Sequence, residues 1–159
     1  MAPEVRAMVR KDKPAVMDIL RHTSEFKQME VDVAEELIDA YLEEGMASDY
    51  YTYVGLVDSE ILGYICYGPT PITEGTYDVY WMAVSLQAQR QGVGRALLSA
   101  AEADVRARHG RILLIETSGK ASYFKAQNFY TSMGYDLVSR IPEFYEPGDD
   151  KLTYFKRIS

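Results

Sequence analysis

Apolar and polar positions along the chain switch several times between the two-residue period of a strand and the 3.6-residue period of a helix. Val5 to Arg10 reads as a short strand, and Lys13 to Thr23 as a helix with Pro14 near its start, where a missing N–H does no harm. Asp32-Val33-Ala34-Glu35 has the cap-and-Glu spacing of a helix start, and Leu37, Ile38, Tyr41 and Leu42 hold one apolar face until Gly45. Tyr50 to Val57 and Ile61 to Gly68 are β-branched and aromatic runs around Asp58-Ser59-Glu60, the pattern of an antiparallel hairpin. A loop follows from Gly68 to Gly75, its prolines incompatible with a central strand.

Thr76 to Val84 predicts the next strand, with Asp78 as its charge. Val93, Ala96, Leu97, Ala100, Ala101 and Val105 then hold a helical stripe that Arg106, Arg108, His109 and Gly110 bring to an end. Arg111 to Thr117 reads as a short buried strand, Ala121 to Met133 as a helix closed by Gly134, and Tyr135 to Ile141 and Leu152 to Ile158 as two final strands. The order is βααβββαβαββ. It predicts an α/β protein with a mixed sheet and one domain over residues 1–159, since no repeat, low-complexity tract or linker divides it.

Between the strand at Thr76 to Val84 and the following helix lies Gln89-Arg90-Gln91-Gly92-Val93-Gly94-Arg95-Ala96. Two glycines at alternate positions let the main chain turn with its N–H groups outward, and the helix adds its unpaired N-terminal N–H groups and positive dipole end. Gln89, Arg90 and Arg95 supply donors and charge around a bound anion. This predicts a phosphate cradle. A Walker P-loop requires Gly-Lys-Ser/Thr, and here Gly94 precedes Arg95-Ala96. A dinucleotide fingerprint requires a third Gly or Ala where this chain has Leu97, although Glu116 does sit about twenty residues downstream as that motif expects.

Composition narrows the chemistry further. At 159 residues, 47% hydrophobic and 26% charged, the chain is an ordinary globular sequence with enough length for a core. No apolar run approaches the roughly 20 residues of a membrane span, and the N-terminus lacks the hydrophobic region and cleavage site of a signal peptide. A cytoplasmic location without membrane association is expected. The single cysteine, Cys66, lies in an apolar stretch and is expected to be buried. His22 and His109 are the two histidines, far apart in sequence, so neither a structural zinc site nor a histidine-activated nucleophile assembles readily. No metal is expected. A net charge of −7 argues against broad nucleic-acid binding and is compatible with cationic partners.

Three segments carry a resemblance to a known family. They are Trp81-Met82-Ala83-Val84 before the cradle, the Q-x-x-G-x-G cradle itself, and Ala126-Gln127-Asn128-Phe129-Tyr130-Thr131-Ser132-Met133-Gly134-Tyr135, which is similar to an A-x-x-h-Y-x-x-x-G-[FY] signature (h apolar). Together they resemble the GCN5-related N-acetyltransferase (GNAT) superfamily, most strongly from about Tyr77 to Tyr135. The resemblance implies a mixed sheet whose central strands splay to admit acetyl-CoA. It implies that the cradle from Gln89 through Arg90, Gln91, Gly92, Val93, Gly94 and Arg95 to Ala96 holds the pyrophosphate. It also implies that Met82, Ala83 and Val84 reach the acetyl oxygen and pantetheine amides through backbone N–H groups, and that Tyr130 faces the sulfur. Tyr123 and Asn128 are the further cofactor-binding candidates; many relatives have an Asn where this chain has Tyr123.

Acetyl transfer from a thioester to an amine requires a neutral amine, a polarised carbonyl and a proton for the leaving thiolate. Tyr130 suits the last task, because a phenol near pKa 10 lies close to a thiol near 8.5. Asp78 aligns with a position where some relatives carry a general-base carboxylate; it could equally hold a loop N–H or orient a substrate ammonium. Glu74 and Glu116 are weaker candidates. Ile141 to Lys151 is read as the connection between the last two strands, bordering the acceptor site with aromatic and acidic residues. Tyr50, Tyr51, Tyr53, Tyr67, Tyr77 and Tyr80 either line that site or pack. The expected function is direct N-acetyl transfer from acetyl-CoA to a primary amine on a small molecule or peptide, by an enzyme that family members suggest is a homodimer. The alternatives are a noncatalytic acyl-CoA sensor and, from the cradle alone, a dinucleotide-dependent oxidoreductase.

Overall fold

The β-branched and aromatic runs pair as their alternation requires. A computed structural model of the chain describes residues 2–88 and 90–159. β1 (Glu4–Ala7), β2 (Tyr51–Val57), β3 (Glu60–Pro69), β4 (Thr76–Val84), β5 (Ile112–Ser118), β6 (Asp136–Glu146) and β7 (Asp149–Arg157) form one seven-stranded sheet in the order β1-β2-β3-β4-β5-β7-β6. Every neighbouring pair is antiparallel except β4 and β5, which run parallel. The crossover between those two is α3 (Val93–Ala107).

One face of the sheet is covered by α3 and α4 (Phe124–Ser132), the other by α1 (Lys13–Arg21) and α2 (Gln28–Glu44). Leu97, Leu98, Ala101 and Val105 of α3 pack in one core with Ile65, Tyr67, Leu113 and Ile115. Val16 and Leu20 of α1 and Val31, Ala34 and Ile38 of α2 pack in the other with Val54, Tyr64 and Cys66. As the sequence predicts, Cys66 is fully buried, and desolvation pushes its thiol up to about 12, which keeps it protonated and inert. Asp12 joins β1 to α1: it is buried, accepts the Val9 N–H and pairs with Arg6 at 2.7 Å. That guanidinium holds its carboxyl below the usual range.

The predicted element order is the observed one, and the differences lie at boundaries. β1 is shorter than Val5 to Arg10, because Arg10–Asp12 turn as a 3-10 helix into α1. α2 begins at Gln28, four residues before the expected cap, since Glu30 accepts the Lys27 N–H at 3.1 Å and closes the N-terminus earlier in the chain. The segment from Ala121 begins as a single 3-10 turn, Ala121–Tyr123, before α4 proper. β6 and β7 extend well into the segment read as their connection, leaving Pro147 and Gly148 as the turn. Register slips between Ile141 and Glu146, which accommodates Pro142 on an edge strand where no neighbour needs its missing N–H.

Candidate functional site

β4 and β5 pair only from Thr76 opposite Ile112 to Val79 opposite Ile115. Beyond that point β4 continues to Val84 against β3 alone, and β5 continues to Ser118 against β7 alone. The two parallel strands therefore part, and along Tyr80 to Val84 the main-chain groups not paired with β3, those of Met82 and Val84 among them, face the gap without a β5 ladder. A bulge contributes: Cys66 pairs with Trp81 but Tyr67 with Val79, so Tyr80 is the extra residue on β4. Because of it, two consecutive side chains, Tyr80 and Trp81, lie on the α1/α2 face, while Met82 and Val84 lie on the α3/α4 face.

The cradle stands at the open end of this gap. Gly92, at φ +81, is the N-cap residue of α3, a left-handed conformation that costs glycine nothing. The first ladder bond of α3 runs from the Ala96 N–H to the Gly92 carbonyl, so the N–H groups of Val93, Gly94 and Arg95 emerge from the helix N-terminus without intrahelical acceptors. Arg90, also left-handed at φ +72, precedes them, and the Gln91 N–H closes a turn on the Ala88 carbonyl. Arg90, Gln91 and Arg95 are exposed, and neither arginine forms an ion pair among the described residues. Gln89, also expected in the cradle, lies outside the described residues.

Val93 points the other way and anchors the cradle to the sheet. It is 1% exposed, and a Cβ on Gly55 or on Gly63 would stand 2.9 Å from its Cγ1. The absence of side chains on β2 and β3 there is what lets the first turn of α3 sit against the sheet. A Cβ on Gly94 would stand 3.5 Å from both Phe129 of α4 and Val84 of β4. Loop, strand end and α4 therefore meet at one place. Sequence reasoning passed over Phe129, whose only signal is the apolar position before the signature tyrosine.

Tyr130 follows on α4, 8% exposed, its ring packed on Phe129 and on Tyr154 with centroids 5.7 and 5.6 Å away. Desolvation, with a smaller contribution from Tyr154, pushes its phenol up to about 12. The close match to a thiol expected for a solvated phenol therefore does not hold: the group stays protonated at neutral pH but is a weaker acid. Asn128 is exposed on the same helix. Tyr123 is engaged elsewhere, its hydroxyl donating to the Glu25 carbonyl at 3.0 Å.

Asp78 lies on the α1/α2 face of β4, where it accepts the Thr70 hydroxyl and so braces the β3–β4 loop. Desolvation raises its carboxyl above the usual value, opposed by the Thr70 hydrogen bond and reinforced by Glu116. Glu116 pairs with Lys151 at 3.2 Å. Across the gap from the cradle, Glu146 near the β6–β7 turn binds Lys27 at 2.9 Å and Lys120 at 2.7 Å. Those two lysines hold its carboxyl down at about 2. Nothing local in the sequence joins Lys27 to a carboxylate 119 residues away. Among the described residues no cluster of three or more His, Cys, Asp or Glu could hold a metal, and no helix is long and apolar enough to cross a membrane.

A family model described as an acetyltransferase (GNAT) domain matches residues 48–137. The chain belongs to the GNAT acetyltransferase family. A crystal structure described as that of a GNAT-family acetyltransferase from Desulfovibrio desulfuricans is similar over 99% of this chain and 100% of its own, with 41% identity and a TM-score of 0.94. The ribosomal-protein-S18-alanine N-acetyltransferase from Escherichia coli shares the fold at 19% identity and a TM-score of 0.77, over 99% of this chain and 94% of its own. An aminoglycoside 6'-N-acetyltransferase complexed with coenzyme A does so at 17% identity and a TM-score of 0.76, over 98% and 97%. Among curated proteins none matches the chain. The GNAT match spans β4, the cradle, α3, β5 and α4, and so includes the strand end, loop and helix that meet at Gly94.

Proposed function

We propose that this GNAT protein transfers the acetyl group of acetyl-CoA directly to a primary amine, with no acyl-enzyme intermediate. The observation that carries this reading is the meeting of the cradle, the end of β4 and the tyrosine-bearing helix around Gly94. A pyrophosphate at the α3 N-terminus would be held by the Val93, Gly94 and Arg95 N–H groups, with Arg90 and Arg95 free to pair with its charge. The pantetheine arm would then run along β4, where Met82 and Val84 turn main-chain groups toward the gap while those of Ala83 pair with Tyr64 of β3. A carbonyl polarised there is attacked by the neutral amine; the new C–N bond forms, the nitrogen gives up a proton to a base, the C–S bond breaks, and the thiolate takes a proton.

Tyr130 is the group proposed to supply that proton. Its phenol at about 12 makes the transfer to an ordinary thiolate unfavourable. The same burial, however, raises the basicity of a thiolate formed beside it, because desolvation penalises both anions. Asp78, raised by desolvation, is the candidate base, acting once ionised, and its bond from Thr70 also fits it as a brace for the acceptor side.

Calorimetry with acetyl-CoA, coenzyme A and NAD, followed by thiol release over a panel of amines, tests the reading. Binding of both CoA forms with turnover of at least one amine is expected. Tight CoA binding with no turnover by any amine would favour the noncatalytic sensor, and binding of NAD in preference to CoA would overturn the donor assignment.

A further inference from the structure

On the α1/α2 face, beside the parting of β4 and β5, lies an open cavity of about 580 Å³ lined by Val33, Glu36, Leu37, Tyr50, Tyr80 and Trp81. Its size and its mostly apolar, aromatic lining are those of a small-molecule site. The β4 bulge makes its floor, since without the extra residue Tyr80 and Trp81 would face opposite sides of the sheet. The floor is held rigidly. Tyr50 meets Tyr80 edge to face at 5.4 Å, Phe26 meets Trp81 in the same way at 5.4 Å, and the Tyr80 hydroxyl donates to the Pro69 carbonyl at 3.2 Å.

Because that hydroxyl is engaged within the fold, Tyr80 offers a ligand its ring more than its polar end. Glu36, on the exposed side of α2, is the single charged lining residue among those described. Asp78 stands on the same face of β4, two residues before Tyr80, and its charge is felt there: Tyr80 is pushed up to about 12, mainly by desolvation and next by Asp78. The cavity thus combines an aromatic body with one lining carboxylate, Glu36, and a second, Asp78, farther along its floor strand, which continues directly into Met82–Val84 at the gap.

We infer that this cavity takes the body of the acetyl acceptor, and that the acceptor is a small primary amine borne on an aryl or similarly flat apolar group. The inference rests on the acetyltransferase reading, and it names the substrate class which that reading leaves open. The carboxylates favour a cationic ammonium in encounter, and the rings bury the apolar body edge to face. A polyamine or a polyhydroxylated amine fits less well, because one lining carboxylate cannot satisfy several charges and a wall of rings leaves hydroxyls unpaired.

Trp81 is the only tryptophan of the chain, so its fluorescence reports occupancy directly. The protein loaded with coenzyme A is titrated with 2-phenylethylamine, with ethylamine, and with a tripeptide carrying N-terminal Phe. 2-Phenylethylamine is expected to bind at least about tenfold more tightly than ethylamine, since burial of a phenyl ring exceeds the 1.4 kcal/mol of one decade. Val33→Arg, at a position 45% exposed, places a cation at the mouth and is expected to weaken that binding about tenfold with coenzyme A affinity unchanged. Glu36→Gln is expected to weaken it two- to threefold. Equal binding of the two amines, preference for the peptide, or indifference to Val33→Arg overturns the inference. Selective binding of 2-phenylethylamine without its acetylation would refute the acetyl-transfer reading while leaving the cavity as an arylamine site; acetylation of both amines at equal efficiency would do the reverse.

Discussion

The two sides of the gap between β4 and β5 are built from different materials. On the α3/α4 side the cradle consists of main chain: two left-handed residues, three N–H groups at a helix end, and glycines that let Val93 reach the sheet. On the α1/α2 side the walls consist of side chains: the Tyr50–Tyr80 and Phe26–Trp81 pairs, Asp78, and the Lys27–Glu146–Lys120 bridge. A main-chain site tolerates changes of side chain but not of conformation. A side-chain site can be rewritten residue by residue on the same frame. On the proposed reading the donor half is fixed by the fold, whereas the acceptor half can be varied on one architecture.

The donor side is broken most severely by Gly92→Asp. The left-handed φ strains any residue with a Cβ, and the carboxylate would point at the bound phosphates. Affinity for coenzyme A should fall by about 1,000-fold or more, roughly 4 kcal/mol. Among the described residues an added Cβ has only Pro3 Cγ nearby, at 3.9 Å, so the protein should still fold; a circular-dichroism melt separates lost binding from lost structure. Retained affinity would remove the cradle assignment. Next comes Tyr130→Phe, which keeps the ring contacts with Phe129 and Tyr154 and removes only the hydroxyl. With general-acid contributions of about 10²–10⁴, kcat should fall about 100-fold while coenzyme A affinity changes less than threefold. Unchanged turnover would end the acid role.

The same contrast explains what was legible in the sequence. Gly92 advertises its position because a left-handed turn at a helix start favours glycine, and the stripe from Val93 to Val105 announces α3 because its period is helical. The span of β4 was equally plain, down to both ends of Thr76–Val84. By contrast, the bulge at Tyr80 leaves no mark on a strand of tyrosines, since register belongs to the pairing with β3 and not to β4 itself. The extent of β6 and β7 was hidden for a similar reason: Pro142, Pro147 and Gly148 read as loop, yet an edge strand tolerates a proline. The rise of Tyr130 to about 12 depends on burial between α4 and the sheet and, less, on Tyr154, neither of which is local in sequence.

Asp78 tests whether the acceptor side takes part in the chemistry. Desolvation raises its folded-state pKa, so as pH rises through that value the ionised base accumulates and stability falls, because the charge must then be held in a half-buried site. If Asp78 is the base, kcat/KM should rise along an acidic limb centred above the ordinary carboxylate range, and Asp78→Asn should abolish the limb and lower kcat/KM about tenfold at neutral pH. If it is only a brace for Thr70, Asp78→Asn keeps the limb and most of the rate, since an amide oxygen can still accept that hydrogen bond.

The smallest expected effect comes from the bridge that ties the start of α2 to the β6–β7 hairpin. Glu146 is partly exposed, and its pairs with Lys27 and Lys120 are near-surface pairs of little worth to stability. Its depressed pKa fixes the sign: whatever the pairs contribute is present above the unfolded carboxylate value and is lost as pH falls toward about 2. Their geometric role is larger than their energetic one, because they join the start of α2 to the β6–β7 hairpin, on the proposed acceptor side, and pair with none of the described cradle residues. Glu146→Gln should therefore shift acceptor KM about threefold, leave kcat and coenzyme A affinity within about 50%, and make acceptor KM less sensitive to salt, since the screened attraction is gone. A change in coenzyme A affinity as large as the change in acceptor KM would show that the two halves are mechanically coupled, and that the division between a main-chain donor side and a side-chain acceptor side is one of composition alone.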